Sequence, residues 1–380
     1  MLREEEWKLN KRSCIHLSSV HNAEDVRIFH KECHDLANAG YEVSLIANHD
    51  QDENINGIKI ISMSKKDKRL SRAIRTTWQE YKKSILVRSK VYHIHDPELI
   101  PIAIFLKFQK KIIIYDAHED LPAQIYTKQW IPHYLHWPAS KLCHVILRLS
   151  ARYIFTEVIA ATPTIATKFP KKKTTIIQNY PRLNELNEIP TVNYFDRPSS
   201  VAYIGGISRP RGIFEMVSSL EYIDLEGVRL QLAGLFENDE LERDVSRLAG
   251  WNKVDFFGWL SREEVGRILE GSRVGLVLLH PTKNYIDSLP IKLFEYMTAG
   301  LPVIASNFPI WKKIIEDNKC GICVDPMNTN EIAEAITWLL NHPNDSYLMG
   351  QNGRKAVENL YNWETESRKL LELYEKVLST

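Results

Sequence analysis

The chain has 380 residues, 44% hydrophobic and 26% charged, which is a globular composition and too long for one ordinary core. It contains no run of 18 apolar residues, and its charged start lacks an apolar segment, so neither a transmembrane helix nor a secretory signal is predicted. Five cysteines are an odd and sparse set, which predicts reduced thiols in a cytoplasm. Cys320 and Cys323 form one CxxC without a second pair, so no zinc site is predicted from them.

The net charge of +1 conceals an asymmetry between the two halves of the chain. Residues 1–190 hold 29 Lys and Arg against 21 Asp and Glu, a charge of +8, and the remainder holds 20 against 27, a charge of −7. A basic half indicates an anionic partner surface. Because no nucleic-acid-binding motif is present, lipid headgroups or an anionic acceptor are the favoured partners, and nucleic acid is not.

Short apolar strands alternate with helices along residues 1–182. The predicted strands are CIHLSSV, Val43–Ala47, GIKIISM, the start of VYHIHDPEL, KIIIY, and segments of EVIAATPTIATKF and TTIIQNYP. A helix is predicted to end near Gly40, and another to span the basic segment 65–85. The alternation predicts a parallel, doubly wound sheet, whose ligands bind beyond the carboxyl ends of its strands. The polar runs HDPEL and DAHED lie at such ends.

Residues 126–153 contain several large aromatic side chains and then apolar residues at helical spacing. Trp130, Tyr134 and Trp137 are interleaved with histidines, and a helix with Leu142, Val145, Ile146 and Leu149 follows. One interpretation is a loop and a helix that cover the sheet. The other is an interfacial face, with aromatics at headgroup depth and Lys141, Arg148 and Arg152 beside them.

Residues 183–199 are polar, aperiodic and contain prolines, which predicts an interdomain linker. A second set of strands follows in SVAYI, VRLQLAGLF, VDFFGWL, VGLVLLHP, LPVIAS and GICVD, with helices between them. The predicted helices include Ser261–Leu269, Asn330–Leu340, Ser346–Val357 and a last one in 361–380. This half therefore predicts a second doubly wound domain.

The segment Asp287–Ser306 predicts a helix followed at once by a buried strand. The helix is predicted to start at Ser288 or Leu289, with Pro290 near its first position, and to stop at Gly300. Its start suits a phosphate, because free N–H groups and the positive end of the helix dipole meet there. Glu295, with Lys292 three positions before it, offers two acceptor oxygens that suit a ribose diol. The alternative is a surface helix with an acidic residue.

The run PIKLFEYMTAGLPV resembles the donor-binding helix of family 4 retaining glycosyltransferases of the GT-B fold. In that family an acidic residue, here Asp287, precedes Glu295 by seven intervening positions. The resemblance implies two Rossmann-like doubly wound domains that face each other across a cleft. It places an acceptor-side domain at 1–182, the linker at 183–199 and a nucleotide-sugar domain at 200–360, with the helix of 361–380 packing back onto the first domain.

The resemblance also assigns donor-binding residues. In YIGGISRPRG, Gly205, Gly206, Arg209 and Arg211 form a diphosphate-binding turn. The family usually has Arg where Gly206 stands, Arg211 matches a second basic position, and Arg209 is the candidate for the missing charge. In FFGWL, backbone groups around Gly258 and Leu260 would contact the base. Asp287, Leu289, Pro290, Lys292 and Glu295 complete the donor set. Solvated surface charge and an ordinary strand-to-helix turn are the alternatives.

On the acceptor side the resemblance singles out His118, at the end of a strand, as a group that orients the transferred sugar. Glu119 stands beside it. The first loop lacks the paired glycines of the family, so Asp25 and Arg27 are candidates for acceptor contact, against a helix-start salt bridge. His118, Glu295 and Arg211 are the predicted catalytic residues. No metal or cofactor is predicted.

The predicted function is a metal-independent, retaining transfer of a sugar from a nucleotide-diphosphate sugar to a glycan or lipid-linked acceptor, in cell-surface polysaccharide synthesis. The expected location is the cytoplasm, with peripheral contact to the inner, anionic face of the plasma membrane. A nucleotide-sugar 2-epimerase and a non-catalytic sugar-nucleotide or polysaccharide-binding protein are the alternatives. The first would release nucleotide without an acceptor.

Overall fold

The computed structural model describes residues 12–63, 87, 89–128, 130–183 and 192–379. The predicted basic helix of 65–85 and residues 184–191 of the predicted linker lie outside these residues. Contacts divide the chain into two compact units: the residues up to Asn179 together with those from Thr365 onward, and Tyr180–Glu364. In the described ranges no helix has the length and apolar character needed to cross a lipid bilayer.

The first unit is built on an eight-stranded sheet with the order β3-β4-β2-β1-β5-β6-β7-β8. Its strands are β1 Ser13–Asn22, β2 Glu42–Asn48, β3 Glu53–Ile55, β4 Ile58–Met63, β5 Val91–Ile94, β6 Ile112–Ala117, β7 Glu157–Ala160 and β8 Thr174–Ile176. All pairs are parallel except β3 with β4. The sequence pattern missed β3, because three residues are too few for an alternation to show.

The helices of the first unit connect these strands. A π-helical segment, Ile28–Cys33, runs directly into α1 His34–Asn38, and α2 Ile100–Phe108, α3 Leu121–Gln124, α4 His133–Tyr153 and α5 Pro163–Ala166 follow. The long helix α4 includes Tyr134 and Trp137, which the sequence placed in a loop. Pro132 and Pro138 obscure the helical pattern there, although Pro138 is accommodated inside the helix.

The second unit is built on a six-stranded parallel sheet with the order β11-β10-β9-β12-β13-β14. Its strands are β9 Ser200–Ile204, β10 Arg229–Ala233, β11 Val254–Gly258, β12 Val274–Val277, β13 Val303–Ser306 and β14 Gly321–Val324. Its helices are α6 Ile213–Ser219, α7 Asp239–Val245, α8 Arg262–Glu270, α9 Ile291–Thr298, α10 Pro309–Asn318, α11 Thr329–Asn341 and α12 Pro343–Asn359. The last helix, α13 Trp363–Ser379, starts in this unit and continues in the first.

Burial alternates along the central strand β9 because successive side chains point to opposite faces of a sheet. Val201 and Tyr203 join the core on one face, and Ala202 and Ile204 join the core on the other. Both faces of the sheet are thus covered by helices, as a parallel sheet requires. In each unit the strand order reverses once, between β1 and β5 and between β9 and β12, and such reversals are where doubly wound sheets bind ligands.

Candidate functional site

Three neighbouring strands of the second unit lead into glycines with positive φ at one edge of the sheet. These are Gly205 at +126°, Gly234 at +143° and Gly258 at +66°. A Cβ atom on Gly234 would lie 2.0 Å from the Gly205 carbonyl oxygen, so no side chain fits there. The carboxyl edge of the sheet therefore presents closely packed backbone, the kind of surface that lets a ligand approach the main chain.

The turn after β9 is held by hydrogen bonds to the Gly206 carbonyl. The Tyr203 hydroxyl donates to it at 2.8 Å and the Arg211 guanidinium at 3.1 Å. Burial raises the pKa of Tyr203 to about 12, so this hydroxyl keeps its proton. A Cβ atom on Gly206 would lie 2.8 Å from an Arg211 nitrogen. The glycine that departs from the family pattern thus leaves room for the Arg211 guanidinium.

Lys292 brings a second cation to the same turn. Its side chain is half-buried as a whole, but its Nζ atom is shielded from solvent and has no hydrogen-bond partner within the described parts of the chain. Nζ lies 3.7 Å from the centroid of the Tyr203 ring. Burial, followed by the nearby charge of Arg211, lowers the pKa of Lys292 well below its usual value. Two converging basic groups and a glycine turn make a site for an anion.

The helix that carries Lys292 begins where the sequence predicted, within one turn. Pro290 is the N-cap residue of α9, and Gly300 lies just past its C-terminus with φ +69°. Leu289 packs against the core beside this helix. Asp287 is exposed in the preceding turn. The first turn of α9 and Lys292 are therefore presented together, whereas Asp287 belongs to the surface in front of them.

Glu295 has a partner that the sequence did not indicate. Its Oε1 atom accepts a hydrogen bond of 2.6 Å from Arg262 of α8. The side chain of Glu295 is 15% exposed and that of Arg262 is 53% exposed. Both residues line a small pocket that also includes Thr298 and Arg182. One carboxylate oxygen of Glu295 thus has a protein donor, and no residue in the described parts of the chain donates to the other.

The remaining predicted donor residues have different environments. Gly258 ends β11 and accepts a hydrogen bond of 2.7 Å from the Gly234 N–H, so its carbonyl is already used by the protein. Leu260 packs against the core next to the start of α8. Arg209 is exposed, and its guanidinium lies 4.1 Å from the centroid of the Phe214 ring. The structure therefore pairs Arg211 with Lys292 rather than with Arg209.

In the first unit, the strand reversal between β1 and β5 is organised by Asp96. This buried carboxylate accepts hydrogen bonds from the Ser18 hydroxyl at 2.9 Å and from the Ser19 N–H at 2.7 Å. Nearby, His21 lies 3.7 Å from Asp96 and 3.5 Å from Asp25. The HDPEL run that follows β5 thus supplies a rigid acidic anchor for the first loop.

His118 follows β6 and joins this polar group. Its side chain is 18% exposed, and its Nδ1 atom lies 3.7 Å from an oxygen of the buried Asp116. Its ring meets the ring of His21 edge-on, with centroids 5.0 Å apart. Glu119 is exposed beside it, and Asp120 instead caps α3 and pairs with Lys168. His118 is therefore a partly exposed imidazole on a rigid, acidic support.

The two acceptor-contact candidates of the first loop, Asp25 and Arg27, have different environments in the structure. Arg27 is 5% exposed and pairs with Asp116 through two hydrogen bonds, of 2.8 and 2.9 Å, so it supports Asp116 from inside and does not present itself to an acceptor. Asp25 stays at the surface and accepts the N–H groups of Arg27 and Ile28. Burial raises the pKa of Asp25, but bonds from His21 and these N–H groups outweigh it and lower the pKa to about 2.

Four residues of these sites were not singled out from the sequence: Tyr203, Gly234, Arg262 and His21. Gly234 had a detectable signal, a glycine directly after an apolar strand in LQLAG. His21 stands in a predicted strand-end loop, which was also a signal. Arg262 and Tyr203 had no sequence signal. The role of Arg262 depends on its contact with Glu295, 33 positions away, and that of Tyr203 on its contact with the Gly206 carbonyl, 3 positions away.

Comparison with known proteins agrees with these features. A family model described as "Glycosyl transferases group 1" matches residues 187–356, somewhat less than half of the chain. The MMP alpha-(1->4)-mannosyltransferase of Mycolicibacterium hassiacum is 23% identical over 44% of this chain and 41% of its own length. The alpha-D-kanosaminyltransferase of Streptomyces kanamyceticus is 25% identical over 48% of this chain and 46% of its own. The chain thus spans less than half the length of the curated relatives it matches.

Solved structures match over nearly the whole chain. Sucrose-phosphate synthase from Thermosynechococcus elongatus has a TM-score of 0.75 at 18% identity and covers 97% of this chain and 99% of its own. Anabaena HepE in complex with UDP and glucose has a TM-score of 0.74 at 13% identity and covers 96% and 100%. The chain therefore has the two-domain α/β fold of GT-B glycosyltransferases, as the sequence predicted.

Proposed function

We propose that this protein is a retaining glycosyltransferase that takes a sugar from a nucleoside-diphosphate donor. The observation that carries the proposal is the shielded Nζ atom of Lys292, which has no hydrogen-bond acceptor among the described residues and lies beside Arg211 at the glycine turn. A buried polar group without a partner is costly, so a site of this kind fits a ligand that supplies the acceptor. A diphosphate offers oxygens to both side chains at once.

In this mechanism the donor's diphosphate is also the leaving group. Arg211, Lys292 and the N-terminus of α9 would stabilise the negative charge that develops as the sugar–phosphate bond breaks. Fixed cations in these positions take the part that a divalent ion plays elsewhere, and we therefore propose that the transfer needs no metal. Retention is attributed, as in the family that the sequence resembles, to front-face displacement, in which the leaving phosphate helps to deprotonate the acceptor.

A panel of nucleotide sugars tests the donor assignment. Thermal unfolding of the full chain is followed with each compound in excess EDTA, because a bound ligand raises the midpoint by an amount set by its affinity. A nucleoside diphosphate and its sugar should both stabilise the protein without added metal. A stabilisation that appears only after Mg²⁺ or Mn²⁺ is added contradicts the metal-free site. Release of nucleotide without any acceptor favours the epimerase.

Glu295→Gln should weaken the productive donor complex by roughly 1.5–3 kcal/mol, the usual effect of losing hydrogen bonds to a charged group. The amide keeps only one acceptor oxygen for a ribose diol. Fold stability should change little, because the Arg262 partner of Glu295 is 53% exposed and ion pairs open to solvent contribute little. The measurement is donor affinity together with kcat/KM.

Arg262→Gln is the matched control, since it breaks the same ion pair and leaves the carboxylate intact. It should reduce donor affinity much less than Glu295→Gln does. Equal effects of the two variants would show that the ion pair matters rather than a ribose contact. Wild-type donor binding by the Glu295→Gln variant would end the assignment.

We also propose that the first unit binds a membrane surface, where it meets its acceptor. Helix α4 exposes large apolar side chains along its length, with Tyr134 80% and Trp137 66% exposed. The Lys141 ammonium lies 5.8 Å from the Trp137 ring centroid, and the Arg152 guanidinium lies 5.4 Å from that of Tyr153. Apolar side chains with basic groups beside them are typical of helices that lie in the headgroup region of a bilayer.

A groove beside α4 extends this surface with further basic groups. Arg148, Arg152 and Lys168 line it together with Leu149 and Phe169. Such a groove suits the anionic headgroup of a lipid-linked saccharide. We therefore propose a cytoplasmic protein that binds peripherally to the inner face of the plasma membrane and extends a glycan or lipid-linked acceptor for cell-surface polysaccharide.

Replacing both Arg148 and Arg152 with glutamine should weaken binding to anionic vesicles roughly 30-fold, because each basic residue near such a surface contributes about 1 kcal/mol. Binding of the wild type should also weaken with salt, since the attraction is screened within about 8 Å at physiological ionic strength. Vesicle co-sedimentation measures both effects. The exchange Tyr222→Ser, at an exposed aromatic of the second unit, is the control. If the wild type ignores anionic vesicles at low salt, a soluble acceptor replaces this proposal.

A further inference from the structure

Three histidines and one glutamate converge in the interior of the first unit. His16 lies on β1, His93 on β5, His95 directly after β5, and Glu32 on the π-helical segment Ile28–Cys33. All four residues are fully shielded from solvent, and one ligand-type atom from each lies within 4.8 Å of the others. We propose that this cluster is a structural site for a divalent transition-metal ion, with zinc as the first candidate.

The spacing of the facing atoms fits a shared ion. His16 Nδ1 and His95 Nε2 are 3.0 Å apart, and Glu32 Oε2 lies 3.9, 3.9 and 4.0 Å from His16 Nδ1, His93 Nδ1 and His95 Nε2. Two atoms bound at 2.0–2.1 Å to one tetrahedral zinc ion are about 3.3 Å apart. One of these distances is shorter than this value and three are longer by 0.6–0.7 Å, so the side chains would move toward one another to complete the coordination shell.

Glu32 lacks the partners that a buried carboxylate requires. Neither of its oxygens accepts a hydrogen bond within the described parts of the chain. Arg27 Nε lies 3.1 Å from Glu32, but it donates to Asp116 at 2.8 Å, so one guanidinium faces two buried carboxylates. The ammonium of Lys31 donates to Asn179. A metal ion would supply both the positive charge and the bonds that Glu32 lacks.

The outer nitrogens of two histidines are oriented as in known metal sites. His95 Nδ1 lies 3.3 Å from Asp116, and His16 Nε2 lies 3.1 Å from the Tyr374 hydroxyl. Such outer contacts fix a metal-binding imidazole and direct its other nitrogen at the ion. The Tyr374 hydroxyl also lies 3.0 Å from His93 Nδ1, so binding of an ion by this nitrogen requires the hydroxyl to turn to His16 alone.

The donor set selects the kind of ion. Three imidazoles and one carboxylate suit zinc and its first-row neighbours, whereas Ca²⁺ and Mg²⁺ prefer oxygen ligands. Four protein ligands in a sealed interior leave no open position for substrate, so the site would stabilise the fold rather than take part in sugar transfer. It is thus independent of the proposed donor mechanism, which involves Arg211 and Lys292 of the other unit.

Metal content of the untagged wild-type chain is the decisive measurement. After dialysis against EDTA, elemental analysis should find about one equivalent of zinc or another first-row metal. A strong zinc chelator with heating should lower the unfolding midpoint, and added Zn²⁺ should restore it. A folded wild type that holds less than about a tenth of an equivalent, and whose midpoint does not respond to Zn²⁺, Fe²⁺, Mn²⁺ or Co²⁺, overturns the site.

Variants of the cluster distinguish two explanations for the buried Glu32, a bound metal ion and a protonated carboxyl group. If Glu32 were simply neutral, Glu32→Gln would be an isostere and would keep the wild-type midpoint. With a metal, Glu32→Gln and His93→Gln should both lose at least 90% of the bound ion and unfold at lower temperature. His30→Gln, at an exposed histidine of the same helical segment, should retain the full equivalent. A Glu32→Gln variant with wild-type stability and no metal in either protein establishes the protonated carboxyl instead.

Discussion

Replacing Lys292 with methionine is expected to weaken nucleoside-diphosphate binding about 100-fold, roughly 2.7 kcal/mol, and at the same time to raise the unfolding midpoint of the ligand-free protein. The loss follows because a charge-assisted bond to the diphosphate disappears. The gain follows because the Nζ atom of Lys292 is shielded, has no acceptor among the described residues and is repelled by Arg211. Methionine fills a similar volume without that cost. Opposite changes in affinity and stability are characteristic of a binding-site residue.

Lys292 also leads us to expect that the protein takes up a proton when it binds a diphosphate. The pKa of Lys292 is lowered by burial and by Arg211, and a bound diphosphate would raise it by supplying opposite charge. Binding at a pH between the pKa of Lys292 in the free protein and its pKa in the complex should therefore take up a proton, and affinity should fall as pH rises through that range. Calorimetry in buffers of different ionisation enthalpy detects this uptake. The Lys292→Met variant should show none.

Arg211→Met is the companion variant, because it removes the other cation of the turn. It should also lose affinity, but it should bring the pKa of Lys292 closer to its usual range, and proton uptake should decrease. A Lys292→Met variant that binds nucleoside diphosphate as tightly as the wild type would remove the main support for the proposed donor site. If the Lys292→Met variant is less stable but its folded form binds nucleoside diphosphate with unchanged affinity, Lys292 has a packing role.

His118→Ala should reduce the rate of sugar transfer about 100-fold or more, roughly 2.7 kcal/mol, with little effect on nucleoside-diphosphate binding. The imidazole is partly exposed and rests on Asp116, which Arg27 holds in place. A group fixed in this way can hold a sugar hydroxyl in the orientation needed in the transition state. The diphosphate contacts proposed above belong to the other unit, so they should persist.

His49→Ala is the matched control for His118→Ala. His49 has a similar exposure, 16% against 18%, lies in the same unit and pairs with Glu53 rather than with a candidate residue. It should transfer sugar at the wild-type rate. Single-turnover rates and nucleotide affinity are measured for all three proteins. Near wild-type transfer by the His118→Ala variant would make His118 structural and would move the active centre elsewhere.

The fold could be predicted largely from the sequence, because it depends on local patterns. Apolar strands such as VSLIA and LPVIAS alternate with helices, and each appears where its pattern lies. The antiparallel strand β3 and the early start of α4 could not be predicted, the first because it is too short and the second because prolines hide its period. Local sequence patterns therefore predicted the architecture but not its irregular elements.

The candidate site was less predictable, since its properties arise from contacts between distant residues. Motif spacing indicated Arg211, Lys292 and Glu295, but the absence of a partner for Lys292 among the described residues and the pairing of Glu295 with Arg262 depend on packing. Arg27 shows the opposite case: its position near a helix start favoured a surface contact, whereas Asp116, 89 residues away, draws it inside. Within the histidine–glutamate cluster only His93 and His95 are close in sequence, whereas His16 and Glu32 lie far from them along the chain.

The C-terminal helix α13 has a consequence for how the protein is made. Its buried residues Leu370, Leu373 and Tyr374 belong to the first unit, and the Tyr374 hydroxyl contacts His16 and His93 there. The ribosome must synthesise all of Tyr180–Glu364 between the two parts of this core. At about 5–20 residues per second this takes roughly 10–40 s.

During that interval the nascent first unit exposes the surface that α13 will cover, so it is a natural client for chaperones, while the second unit is contiguous and can fold as it emerges. The core of the first unit can therefore be completed only after the whole second unit has been synthesised. Premature termination within the last turns of α13 would remove part of the first unit's core rather than a dispensable tail.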